Sequence, residues 1–426
     1  MGFTFSLARE GAEHNITANV LTPIAASRLT QTVMTKDLLE KLKPDFVAPI
    51  VPVLTHKTAV ETGSLFELGG GCISKFRWER SNGARFASEP AADEVLASWD
   101  RIGDFSDADH DQPRPSLNSS LAAASRPKGT DFCKNRIAIV IGAGSAMGAQ
   151  ISHQLAASGA TVLLSDAASV DLGALHEDII QSGGIAKVVA GDSKKVSGSS
   201  QWALKEHGRV DIVVFCGPDF NPSPLDRISD ADWRETYDGQ ARAAYKAIQP
   251  LWESMVKNKY GRILMATAEH GLYGVQSGAG YAAASYSIVG FMRALFREGQ
   301  KYNIRVNAMA RGPSESAIQV STSASLAACL SSDRLSADHT GQVYCVSGNN
   351  ISRVRWQRTH GCALVTDGSF TPELVADKWQ DIVTFDENAD YPDSAAEGMA
   401  RMLQHMGQTE GYAAKQAPKG VSSSKL

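Results

Sequence analysis

The chain has little of several things, and each shortage removes a class of protein. Among its 426 residues no apolar run approaches the roughly 20 that a membrane helix needs. The amino-terminal stretch MGFTFSLAREGAEHN lacks the basic, apolar and small-residue order of a secretory signal. The six cysteines are scattered with no C-x-x-C pair, so free thiols in a reducing compartment are expected, and no metal site. A formal net charge of -4 gives no electrostatic reason to bind nucleic acid. A hydrophobic share of 43% beside 21% charged residues is that of an ordinary globular chain, here long enough for more than one domain.

What is present is, first, an internal repeat. GFTFSLAREGAEHNITAN from Gly2 matches GFMRALFREGQKYNIRVN from Gly290. ETGSLFELGGGCISKFRWERSNG from Glu61 matches HTGQVYCVSGNNISRVRWQRTHG from His339, and WDRIGDF from Trp99 matches WQDIVTF from Trp379. The matches run in one order at nearly constant offset, as tandem duplication produces. The second copy is preceded by residues 132–289, which have no counterpart before Gly2. The chain therefore reads as one full unit preceded by the back half of another. Residues 1–98 are the carboxy-terminal half-unit, 99–130 a linker rich in Pro, Ser and Ala, 131–368 the full unit, and 369–426 a tail. A half-unit without central strands is expected to lean on the full unit, borrow strands from another chain, or be unstable.

Within the full unit, RIAIVI reads as a buried parallel strand. Gly142, Gly144 and Gly148 follow at once, then a helix with apolar positions at Ile151, Leu155 and Ala156. TVLLSD is a second strand ending in Asp166, and further strands are expected at AKVVAG, DIVVFCG, RILMAT, IRVNAMA and GQVYCVSG, with helices between. This alternation gives an α/β fold with a doubly wound parallel sheet of Rossmann type. Strand, glycine turn, helix and an acid about 20 residues on form the setting of a dinucleotide site. The glycines let backbone approach a pyrophosphate, and the helix N-terminus attracts its charge. The Asp166 carboxylate can accept hydrogen bonds from an adenosine ribose while repelling a 2'-phosphate, which favours NAD over NADP. A glycine turn that only permits tight strand–helix packing is the plainer alternative.

These residues, together with GRVDIVV, KYGRILMATAEHGLYG ahead of Tyr281 and EGQKYNIRVNAMA, resemble the short-chain dehydrogenase/reductase family. LYG…Y, EGxxxNIxxN and the RWxR near the end of each copy resemble the dehydrogenase units of the peroxisomal multifunctional enzymes type 2, the fungal hydratase-dehydrogenase-epimerases. The resemblance implies oxidation of a (3R)-hydroxyacyl-CoA with NAD in fatty-acid β-oxidation. It also implies a Tyr that takes the hydroxyl proton, a Lys four residues on, and a Ser thirteen residues before the Tyr that binds the substrate oxygen. Tyr281 is present, but the Lys position is Ser285 and the Ser position is Ala268. The helix position that carries Asn or His is Gln240, the Asn-Asn-Ala-Gly strand end is Phe215-Cys216-Gly217-Pro218, and the middle glycine of the turn is Ala146. A free phenol has a pKa near 10, so reaching 7 needs about 4 kcal/mol of preferential phenolate stabilisation. A cation at i+4 shares the tyrosine's helix face and supplies much of it. Weak or no turnover is therefore expected. Thr267 is a poor stand-in for the serine, because neighbours on a strand face opposite ways. His270 is a candidate replacement base. The first copy keeps NVLTPIAASRLTQT, similar to the family's loop over the nicotinamide, with Pro23 and Thr30 in familiar places, but has no glycine turn or tyrosine of its own.

The last three residues, Ser424-Lys425-Leu426, form a receptor-read peroxisomal address, so an import receptor is an expected partner and the peroxisome the expected location. Nothing resembles the family's hydratase domain, and no hydratase activity is expected. Three readings stay open. One is a decayed relative that binds NAD and turns over little. Another is an oxidoreductase redeployed on an acyl-CoA-like or polyketide chain. The third is a non-catalytic partner of an intact homologue, paired as a homo- or heterodimer through the helices around Tyr281 and Phe291. A start codon further upstream would restore the missing half-unit and give the first copy a site of its own.

Overall fold

A computed structural model describes residues 1–110, 131–189, 196–313, 316–364 and 370–405. Contacts group the chain into two units, Met1–Glu10 with Arg80–Val354, and Gly11–Glu79 with Arg355–Leu426. These units follow contact, the sequence segments follow the repeat, and the two divisions cut the chain at different places.

In the first unit the short apolar runs form a parallel sheet. Its order is Ile185–Val188, Thr161–Ser165, Ile137–Ile141, Ile212–Phe215, Gly261–Ala268, Ile304–Arg311, Val343–Ser347. Ile137 pairs with Thr161, Ala138 with Ile212, Gly261 with Ile304 and Ala308 with Val343. The last of these strands then turns back, and Asn350 lies antiparallel opposite Ser347. The doubly wound sheet expected from the alternation of strands and helices is thus present. Chain order reverses between Ile137–Ile141 and Ile212–Phe215, which opens a crevice outside their carboxyl ends. Both strands are β-branched and buried on both faces, as a sheet covered by helices on each side requires. Helix Ala146–Ala157 packs against helix Ala317–Ser331, and helix Ala243–Asn258 against helix Val196–His207. Ile151 and Leu155 are fully buried on the sheet side of helix Ala146–Ala157, among Val140, Val162 and Val214. Each such side chain stabilises the fold by about 1.5–3 kcal/mol relative to exposure.

The second unit is built on the half-copy. Val20–Pro23 runs parallel to Leu65–Gly69, which forms a hairpin with Cys72–Arg80, and Cys362–Ala363 adds alongside Cys72 and Ile73. Lys75 and Thr359 exchange hydrogen bonds of 2.9 Å in both directions. The core joins Ile50, Leu54, Phe66 and Ile73 to Leu364, Phe370, Val375 and Ile382. Residues from the end of the second copy and the segment after it thereby supply an apolar wall for the half-copy. The Arg358 guanidinium is buried and pairs with Glu67 at 2.8 Å and Asp390 at 2.7 Å.

Trp99–Ile102, read as linker from composition, is a helical turn with Ile102 buried. Residues 111–130 of that linker and the terminal Ser424–Leu426 lie outside the described residues. All six cysteines are free thiols. No described helix is long and apolar enough to cross a membrane.

Candidate nucleotide and active site

The glycine turn is dictated by close approach. Gly142 sits at φ +80°, and a Cβ there would lie 2.2 Å from the Cys216 carbonyl oxygen. A Cβ on Gly148 would lie 2.0 Å from the Gly142 carbonyl oxygen. Ser145 caps the helix that follows: its hydroxyl donates to the Gly142 carbonyl at 2.8 Å and accepts from the Gly148 N–H at 3.1 Å. Ala146 and Met147, in the first turn, line the crevice, so the positive end of the helix is available to an anion there. Asp166 directly follows the next strand, Thr161–Ser165, and its carboxylate accepts from the Gly144 and Ala167 N–H groups, each at 2.7 Å. Its remaining lone pairs are those a ribose diol would use. The structure thus brings Gly142, Gly144, Gly148 and Asp166 together, and the adenosine half of a dinucleotide fits.

Tyr281 and Ser285 lie one turn apart on helix Ala279–Gly299, both buried. The Tyr281 hydroxyl donates to the Pro218 carbonyl at 3.4 Å, and its ring meets Phe220 at 5.1 Å and His270 at 6.1 Å between centroids. Ser285 donates to Gln240 Oε1 at 3.1 Å, and Gln240 sits in a π-helical turn, Asp238–Arg242. Thr267 donates to the Ser285 carbonyl at 2.7 Å, so its hydroxyl is engaged with the helix backbone. Ala268 ends its strand with no hydroxyl to offer. Burial, with repulsion from Arg311, lowers the His270 pKa below the ordinary value, so its ring is neutral at pH 7. Its Nδ1 has no partner among the described residues.

The amino-terminal helix Gly2–Gly11 holds the loops around Tyr281. Glu10 accepts from the Gly278 N–H at 3.2 Å and the Leu225 N–H at 3.1 Å. Ser6 accepts from the Val275 N–H at 3.0 Å, and Arg9 donates to the Tyr273 carbonyl at 2.8 Å. Phe3 packs edge-on to Trp233 at 5.7 Å.

Sequence reasoning missed Arg311. It is the register partner of Ala268, and its guanidinium donates to Asp219 Oδ1 at 3.0 Å. Burial pulls its pKa down, but the Tyr281 oxygen and Asp219 more than offset this and raise it. The repeat held the signal, since Arg311 aligns with Pro23 of the first copy. Arg311 and Asp219 line the crevice at the helix N-terminus together with Ser145, Ala146, Met147 and Gln319. The pair joins the segment after Ile212–Phe215 to the end of Ile304–Arg311 and so spans the end of the strand between them, Gly261–Ala268. A wider cavity of about 610 Å³, lined by Leu54, Val60, Pro372 and Trp379 among others, lies in the second unit and contains none of the predicted site residues.

Residues 136–327 match the short chain dehydrogenase family. The peroxisomal hydratase-dehydrogenase-epimerase of Neurospora crassa is 36% identical over 95% of this chain and 47% of its own length. That of Saccharomyces cerevisiae is 28% identical over 95% of this chain and 48% of its own. The chain thus spans about half the length of the curated relatives it matches. The full-length peroxisomal multifunctional enzyme type 2 of Drosophila melanogaster superposes with a TM-score of 0.56 at 22% identity, over 65% of this chain and 51% of that one, a likeness of fold. Family membership implies a nicotinamide cofactor. With their parallel sheet, glycine turn and buried tyrosine helix, residues 136–327 belong to the short-chain dehydrogenase/reductase family, and the chain is strongly homologous to the fungal peroxisomal hydratase-dehydrogenase-epimerases.

Proposed function

We propose that the chain is a peroxisomal, nucleotide-binding relative of the (3R)-hydroxyacyl-CoA dehydrogenases whose site oxidises little or no alcohol. Gly142, Gly144, Gly148 and Asp166 would hold the cofactor's adenosine half, with the Asp166 charge favouring NAD over NADP. The bound cofactor would accept a hydride. The observation that carries the reading is Ser285: a neutral hydroxyl turned to Gln240 stands where the Tyr281 face needs a cation. The charge of Arg311 is held by Asp219, and Ala268 cannot bind a substrate oxygen. Loss of acid–base function typically costs 10²–10⁴-fold, and such losses within one catalytic unit do not simply multiply. Purified protein assayed with (3R)-hydroxyacyl-CoAs and NAD should show turnover at least about a hundredfold below an intact relative. Robust turnover that Tyr281→Phe abolishes defeats the reading.

The peroxisomal location rests on Ser424-Lys425-Leu426 and on the names of the relatives. Import should fail in cells when those three residues are removed. A second reading, a redeployed oxidoreductase acting on an acyl or polyketide chain, is favoured by the neutral His270 beside Tyr281. In that case His270→Ala and Tyr281→Phe should each abolish formation of the same metabolite.

A further inference from the structure

A dinucleotide laid across the carboxyl ends of this sheet has a fixed course. With a ribose at Asp166 and the pyrophosphate at the N-terminus of helix Ala146–Ala157, the other half must pass over Ile212–Phe215, Gly261–Ala268 and Ile304–Arg311. The Arg311–Asp219 pair stands across that course. Arg311 projects from the end of its strand beside Ala268, and Asp219 lies in the segment just after Ile212–Phe215. Pro218, next to Asp219, accepts from Tyr281, so the same short segment is tied to the helix and to the strand end. The Arg311 side chain is 11% exposed and lines the crevice at the helix N-terminus with Ser145, Met147 and Asp219.

We propose that the Arg311–Asp219 pair is a gate over the nicotinamide end of the crevice, so that the chain recognises the adenosine diphosphate half of a nucleotide and gains no affinity from the nicotinamide half. The inference rests on the nucleotide-binding reading and adds the ligand class to it. Entry of a nicotinamide ring requires the guanidinium to leave its carboxylate and its buried place. An adenosine diphosphate moiety requires neither, and its phosphates meet the helix N-terminus. Proline at this position in the first copy has no side chain that could reach across.

The test is isothermal titration of ADP and of NAD into the full chain, wild type and with Arg311→Pro or Arg311→Ala, folding being checked by circular dichroism. Wild type should bind the two ligands within about threefold of each other. Either variant should bind NAD at least about tenfold more tightly than ADP. Wild type that already prefers NAD tenfold overturns the gate and leaves the nucleotide site standing. Folded variants that keep equal affinities overturn it as well. Failure of wild type to bind ADP at all removes both the gate and the nucleotide reading.

Discussion

Replacing Glu269 by alanine isolates the most buried ion pair among the described residues of the first unit. Glu269 follows Ala268 directly, and its Oε1 accepts from Arg80 NH1 and from the Ser347 hydroxyl, both at 2.9 Å. The two side chains are 1% and 0% exposed. The Arg80 Nε also donates to the Tyr273 hydroxyl at 3.3 Å; burial holds that phenol above its ordinary pKa, although the arginine's charge and hydrogen bond pull it down. Alanine at 269 leaves a guanidinium in the interior with only a phenol oxygen beside it. Breaking a buried pair in this way costs about 3–5 kcal/mol, whereas replacing both partners by apolar residues of similar volume is often neutral. With a urea m-value of about 2–3 kcal/mol/M, the midpoint should fall by about 1–2.5 M with m unchanged. The assay is urea unfolding followed by far-UV circular dichroism for Glu269→Ala, Arg80→Met and the double replacement Arg80→Met/Glu269→Leu. The double variant should recover more than half of the single variant's loss. A single-variant loss below about 1 kcal/mol, the scale of an exposed pair, refutes the reasoning.

Three further outcomes follow from the site. Gly142→Ala forces a side chain into φ +80° and against the Cys216 carbonyl, so ADP binding by calorimetry should disappear while the rest of the chain stays folded. Gly274→Ala, at φ +74° with its Cβ 2.4 Å from the Phe5 backbone, should destabilise the first unit by about 1–3 kcal/mol and expose the 274–278 loop to proteolysis. His270 should titrate by NMR below 6.5, the ordinary histidine value. Its folded pKa is depressed, so as pH falls the unfolded chain takes up the proton first. The stabilisation is present above about pH 6.5 and is lost as pH falls through the depressed folded value.

The strand, turn and helix of 137–157 were legible because each step is local. An apolar run, glycines at fixed spacing and an apolar helix stripe all act within a few residues. The doubly wound class of the sheet followed from the alternation of strands and helices. The core of the second unit was not legible, because Phe66 and Ile73 meet Phe370 and Ile382 across some 300 positions of sequence, and no local pattern encodes that contact. The clamp from helix Gly2–Gly11 was hidden for the same reason: Glu10 bonds backbone N–H groups at 225 and 278, and backbone donors carry no residue signature. Arg311 carried no signal of its own because NAMARGPSESAIQ departs from the first copy's loop at several positions, and no single change among them stands out. Only its burial beside Tyr281 and its pairing with Asp219 give it meaning.

The stacked tryptophans of the second unit carry a wider consequence. Trp78 and Trp356 occupy equivalent places in the two copies, and they lie face to face at 3.8 Å. Around them Arg77 donates to Gln357 while Arg355 donates to Glu79, a reciprocal exchange between positions that the duplication makes equivalent. Reciprocity of this kind is the signature of an isologous dyad, in which a surface patch meets its own image. In a homodimer every mutation would strike both sides of that dyad at once. Here both sides are encoded separately, so either can drift alone: glutamine has come to face one arginine and glutamate the other, and further asymmetry can accumulate without a matched change in the image.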